Sequence, residues 1–144
     1  MKLSTKIRYG LRAILQIAVE GEKTPLMARK IAEKQGISEP YIDQLLIPLR
    51  TNGLIRSFRG RRGGYQMAVK PRELTILDIV EALDGKLSII DCLEDDKCKK
   101  ATTCAARVVW EKVDKTLRKT LSSMTLEDLR EIEVNLEQTH DFVI

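Results

Sequence analysis

Cys92, Cys98 and Cys104 are the only thiols in the chain, and five residues separate each from the next. Thiolates are preferred ligands of iron–sulfur clusters and soft metals, so a loop of this kind can fill three of four coordination positions. Asp91, Glu94, Asp95 and Asp96 share the stretch and are candidate fourth ligands. An incoming small thiol, a water or a residue of a second subunit are the alternatives. Structural zinc usually uses shorter spacings and four protein ligands. A metal-free thiol redox switch stays open. So do inert cysteines, although Lys97, Lys99 and Lys100 make the loop polar, unlike the apolar setting of buried thiols. The single histidine, His140, sits in the C-terminal tail. A cysteine enzyme needs a base beside its nucleophile, and thiol–disulfide catalysts usually carry Cys-x-x-Cys, which is absent. No enzyme activity is expected.

A second constellation lies upstream. Arg59, Arg61 and Arg62 alternate with Gly60, Gly63 and Gly64. Glycines let a backbone approach a surface closely, and arginine suits phosphates or a narrow minor groove. The stretch lacks the Gly-Lys-Ser/Thr end of a nucleotide-binding loop. Charge divides the same way. Residues 1–72 carry fifteen Lys and Arg against five Asp and Glu, and residues 73–144 carry ten against sixteen. A net +10 in one half and −6 in the other points to a polyanion-binding half joined to one with a different task.

The elements that must position these groups follow from periodicity. Ile7, Leu11, Ile14, Leu15 and Ala18 predict a helix over 6–20, stopped by Gly21. A shorter helix over 27–35 ends at Gly36. Ser38 is a good N-cap for a third helix over 39–52, Pro40 is tolerated in its first turn, and Pro48 should kink it. Helix, tight turn and helix make a helix-turn-helix. Alternation over 54–59 and 65–69 predicts a hairpin, or wing. Thr75 and Asp78 cap a helix over 76–83, and Thr125 and Asp128 cap one that ends near Gln138. Between them, Ala106, Trp110, Val113, Leu117 and Leu121 form a near-heptad seam on a long helix over 105–122, which calls for a second copy of the chain.

The expected fold is therefore mainly α: a winged helix-turn-helix with a two-stranded wing (1–84), a cysteine-containing sensor loop (85–104), and a dimerisation helix with a C-terminal helix (105–144). Double-stranded operator DNA is the expected partner. From the recognition helix, Ser38, Glu39, Tyr41, Asp43 and Gln44 face it, with Arg50 nearer the C-terminal end. Gln44 suits adenine and Asp43 suits cytosine N4. Tyr41 can equally pack, and Glu39 can equally complement the helix dipole. Lys2, Ser4, Thr5, Lys6 and Arg8 suit phosphates, and Arg59, Gly60, Arg61 and Arg62 form the wing tip.

KLSTKIRYGLRAIL at the start, QGISEPYIDQLLIPLRTNGLI around the recognition helix, RGRRGGY in the wing and the three cysteines ahead of a long helix resemble the IscR/NsrR-type winged-helix regulators of bacteria. The resemblance covers nearly the whole chain. It implies a homodimeric transcription factor, such as a repressor, and many members hold an iron–sulfur cluster on cysteines that Cys92, Cys98 and Cys104 match; the alternative is a cluster-free member that senses by thiol redox chemistry or by binding a partner protein. A 2Fe–2S cluster is placed ahead of 4Fe–4S, with the fourth ligand unknown. It also implies base reading by Ser38, Tyr41 and Gln44 and wing contacts by Arg59 and Gly60. The chain departs from the pattern at three places. Asp43 stands where the iron–sulfur biogenesis branch has Glu. Arg107, always charged and no ligand, stands where that branch has its histidine. Arg8 and Arg12 occupy the region from which other branches take an acidic or histidine ligand.

The most apolar N-terminal run, Leu11 to Val19, is interrupted by Arg12 and Gln16 and is too short to span a bilayer. With no signal-like N-terminus, a reducing cytoplasmic setting is expected, where three thiols do not form a disulfide framework.

Overall fold

The computed structural model describes residues 2–94 and 98–143, with side chains as far as Asp141. The candidate ligands Asp95 and Asp96, and Lys97, lie outside these residues.

Three helices open the chain: α1 (Thr5–Glu20), α2 (Ala28–Gln35) and α3 (Glu39–Thr51). Ser4 caps α1 by accepting from the Ile7 N–H, and Ser38 caps α3 by accepting from the Tyr41 N–H, both at 3.3 Å. Gly36 takes the left-handed conformation, φ 67°, that turns α2 into α3. Ile14, Ile17, Ile31, Ile42, Leu46 and Leu49 fill the space between the three helices. Helix α3 continues unbroken through Pro48, although the proline deprives the Gln44 carbonyl of its usual helical partner.

Strands β1 (Ile55–Phe58) and β2 (Gly64–Met67) pair antiparallel, from Ile55 opposite Met67 to Phe58 opposite Gly64. Leu26 joins them as a single-residue third strand, exchanging both backbone hydrogen bonds with Tyr65 at 2.8 and 2.9 Å. Only glycine permits that approach. Gly64 has φ 147°, and a Cβ there would stand 2.5 Å from the Leu26 carbonyl oxygen.

Helix α4 (Ile76–Asp84) buries Ile79, Val80 and Leu83 and packs against α1 and α3. Helices α5 (Ala105–Ser123) and α6 (Leu126–Val143) follow the cysteine loop. Two capping boxes stand side by side. Thr75 with Asp78 starts α4, and Thr125 with Asp128 starts α6, each by a reciprocal pair of side-chain to backbone bonds. The two cap segments are laced together by Ile76 N–H to Met124 O at 2.9 Å and Leu126 N–H to Leu74 O at 2.8 Å. Helix α6 then runs back over α1 and α2, where Lys34 pairs with Glu20 and Glu137, and Arg130 with Glu22 and Glu127. Burial pushes the Glu133 carboxyl on the same face above its ordinary range, with Glu137 and Glu20 adding to the effect against Lys34. The helix passes the expected end near Gln138 and reaches Val143, so His140 is helical and exposed.

Helix α5 packs on α4, and Leu121 reaches the core, while Arg118 supplies the polar tie. Arg118 donates to Glu81 Oε1 at 2.9 Å, to Asp114 Oδ2 at 3.1 Å and to the Leu87 carbonyl. Glu81 Oε1 also accepts from the Leu87 N–H at 3.2 Å. Burial works against the charge of Arg118, and the two carboxylates outweigh it and hold the guanidinium above its ordinary range.

Two outcomes are expected in denaturant unfolding. Gly64→Ala should cost about 2 kcal/mol or more, from backbone strain and the collision with Leu26. Arg118→Ala should cost about 2 kcal/mol, the scale of a charge-assisted bond lost from a partly buried site. Arg118→Lys, which keeps the charge without the planar fork, should recover less than half of it.

Candidate nucleic-acid interface and cysteine loop

The buried face of α3 carries Ile42, Leu45, Leu46 and Leu49. Helical periodicity turns Glu39, Asp43, Gln44 and Arg50 outward, and all four are exposed. Glu39 and Arg50 border an open groove of about 550 Å³ whose other wall is the wing, where they face Arg59, Gly60 and Gly64. Arg61 and Arg62 are exposed at the wing tip. The wing turn is closed by the Gly63 N–H donating to the Gly60 carbonyl at 3.0 Å. Lys2, Thr5, Lys6 and Arg8 are exposed around the start of α1.

Three expected readers have other occupations. The hydroxyls of Ser4 and Ser38 already accept the cap bonds, which leaves each its proton to donate. Tyr41 is half-buried, with its ring edge-to-face with Tyr9 at 6.2 Å and 83°. Tyr41 therefore packs, and in doing so joins the first turn of α3 to α1. Arg8 and Arg12 flank the Tyr9 ring, with guanidinium carbons 5.7 and 5.6 Å from its centroid. Sequence reasoning missed Arg29, which stands at the uncapped start of α2 and lines the same groove. Its position in the first turn of a basic helix was the available signal.

The cysteine loop leaves α4 at Gly85, φ 82°, and crosses to α5. Cys92 lies in a single 3-10 turn (Asp91–Leu93), and Cys104 is the N-cap of α5, with no side-chain cap bond. All three thiols are unpaired and half-buried. Among the described residues no three His, Cys, Asp or Glu side chains converge as a metal site. Thiolate chemistry thus supplies three ligand types suited to a cluster, and the fourth expected position is otherwise engaged. Arg107 donates from Nε to Glu111 Oε1 and from Nη1 to the Cys92 carbonyl, both at 2.9 Å. The Glu111 bond, aided by the nearby Cys92 and Cys98, holds the guanidinium above its ordinary range. Arg107 and Arg118 stand three turns apart on α5. They hold the first half of the loop at two points, Cys92 and Leu87, and nothing in the local sequence announces either contact.

Helix α5 has no buried residue. Val108, Val109 and Trp110 are 65%, 54% and 41% exposed, and α6 adds Ile132 and Leu136. The exposed apolar surface includes Trp110 from the expected seam and extends to its neighbours Val108 and Val109. No helix among the described residues is long and apolar enough to cross a membrane.

The fold agrees with known proteins. Residues 3–132 match the family model Rrf2, described as "Iron-dependent Transcriptional regulator". The chain is 38% identical over 130 residues to protein rrf2 of Nitratidesulfovibrio vulgaris, covering 90% of this chain and 87% of that one. The solved structure of CymR, the global cysteine regulator of B. subtilis, matches with a TM-score of 0.76 and 36% identity over 92% of this chain and 98% of that one. IscR of T. potens matches with a TM-score of 0.76 and 37% identity, over 92% and 88%. These relatives are transcriptional regulators, not enzymes. With a winged helix-turn-helix, a basic groove and a matching family model over most of its length, the chain belongs to the Rrf2 family of DNA-binding transcriptional regulators.

Proposed function

We propose that the protein is a homodimeric regulator that binds operator DNA, and that the state of Cys92, Cys98 and Cys104 sets its affinity. The groove between α3 and the wing carries the DNA reading. Arg50 lines one wall and Arg59 the other, with Asp43 and Gln44 exposed on α3 beside it and Arg61 and Arg62 exposed at the wing tip. Lys2, Thr5, Lys6 and Arg8 add phosphate contacts, with Ser4 and Ser38 donating their free protons. The uncovered face of α5 supports the dimer, since a symmetric pair buries Val109 and Trp110 and sets two recognition helices at fixed spacing.

For the sensor, the donor set favours an iron–sulfur cluster on the three thiolates, 2Fe–2S ahead of 4Fe–4S, its fourth ligand coming from outside the described residues or outside the chain. When bound, such a cluster supplies a centre whose integrity depends on iron supply and oxidants. This chain's own residues do the rest. Arg107 holds the Cys92 end of the loop on α5, Arg118 holds the Leu87 end on α5 and α4, and α4 bears on α1 and α3. A change in the loop thereby alters how α3 is presented.

Arg107 in the fourth position, bonded to Cys92 O and Glu111, favours a second reading: a cluster-free thiol switch. In that case two of the thiols give up two protons and two electrons to a peroxide, leaving a disulfide and two waters.

Operator affinity should fall with salt at a log–log slope on the order of −5 to −10 for the dimer, and a flat response would remove the DNA reading. In sedimentation, Trp110→Glu should convert a dimer to a monomer, and an unchanged dimer would move the interface elsewhere. Anaerobic iron and sulfide analysis with visible absorption separates the two sensor readings. Stoichiometric iron and sulfide, lost in Cys92→Ser, support the cluster. A metal-free protein whose operator affinity responds reversibly to peroxide and thiol supports the switch. Neither behaviour, with Cys92→Ser binding the operator normally, rejects the loop as sensor.

A further inference from the structure

Among the described residues nine large apolar side chains are exposed, and six of them lie on α5 and α6. In the winged part, Leu3, Ile47 and Phe58 remain, and Phe58 lies under the Arg56 guanidinium at 5.6 Å. Ile47 is 53% exposed although it belongs to α3, whose own core positions are already filled by Ile42, Leu45, Leu46 and Leu49. It follows Asp43 by four residues and Gln44 by three, and precedes Arg50 by three. Helical geometry puts these four on one outward stripe, with Ile47 about 5 Å further along the axis than Gln44. An apolar side chain is thus set among polar groups suited to base edges, on the side of the helix that the core does not use.

We propose that Ile47 is a specificity residue that contacts the C5-methyl group of a thymine in each half-site. This rests on the reading that α3 lies in the major groove. There the thymine methyl is the apolar group that base edges present, next to the donors and acceptors that Asp43 and Gln44 match. Ile47 suits the task. A β-branched side chain inside a helix holds essentially one χ1 rotamer, so little side-chain freedom is lost when it docks on a methyl. Its exposure in the free protein is relieved in the complex, where methyl and side chain leave water together.

The test uses the full-length protein, kept reduced and anaerobic. Binding sites are selected from a random duplex library, and each thymine of the selected site is then replaced singly by deoxyuridine, which removes only the methyl. The wild type should lose about fourfold in affinity at one thymine per half-site, and about fifteenfold when both half-sites are replaced. Ile47→Ala should bind thymine and uracil forms equally at that position, while keeping its response at every other thymine. Ile47→Val, which keeps the branch, should retain part of the discrimination, and circular dichroism of both variants should match the wild type. If no thymine responds differently in wild type and Ile47→Ala, this inference falls while the DNA reading stands. If no site is enriched at all, the DNA reading falls and takes the inference with it.

Discussion

Helix α4 can lie against α1 only because position 10 has no side chain. A Cβ at Gly10 would stand 2.5 Å from Leu83 Cδ2 and 2.6 Å from Cδ1, and Leu83 is itself buried. Interiors packed this closely do not deform continuously; they move as units or not at all. The close approach makes α4 part of the winged body. On its outer side Arg118 fixes α5 to the same helix through Glu81. At its start the twin capping boxes bind the α6 origin to it. The start of α6 and the middle of α5 are therefore both anchored on α4, while the body of α6 rests on α1.

That arrangement gives the cysteine loop a continuous line of contacts to the DNA-facing groove. Arg107 holds Cys92, Arg118 joins Leu87 to Glu81, and Leu83 meets Gly10. One residue before Gly10, Tyr9 packs edge-on against Tyr41 in the first turn of α3. A second contact reaches the other end of α3. The Asn52 side-chain amide donates to the Pro48 carbonyl at 2.8 Å and reaches the Ala82 carbonyl of α4 at 3.5 Å. Both ends of the recognition helix thus answer to elements that α4 supports. In the proposed mechanism this is what converts a change at the thiols into a change at the groove.

The local grammar of the fold was legible in the sequence. Ser38, Gly36 and the Thr-x-x-Asp pairs announce helix ends because they act within one turn, and the observed cap bonds match them. The winged arrangement followed from period changes and glycine placement. Less legible was whatever depends on contacts between distant segments. Arg107 could be read as unfit to ligate a metal, but not as a clamp on the Cys92 carbonyl. Arg118 carries no sequence signal of its role, because Leu87, which it binds, lies 31 residues away. Tyr41 was open between packing and base reading because its partner Tyr9 is on another helix. Pro48, expected to kink α3, lies within a helix that continues to Thr51 and is held on its inner face by Leu45, Leu46 and Leu49. The end of α6 was set too early because the polar tail gives no periodic signal, while its earlier turns are seated on α1 and α2.

The central claim, that the cysteine loop and the recognition helix are one mechanical system, is tested most directly by amide hydrogen exchange on the full-length protein. The anaerobically reduced protein is compared with the same protein after peroxide treatment. Protection should change in the loop, in α4 and in the first turns of α3 together, with the core of α1 unaffected. A change confined to residues 85–104, with α3 exchanging identically in both states, would contradict the account.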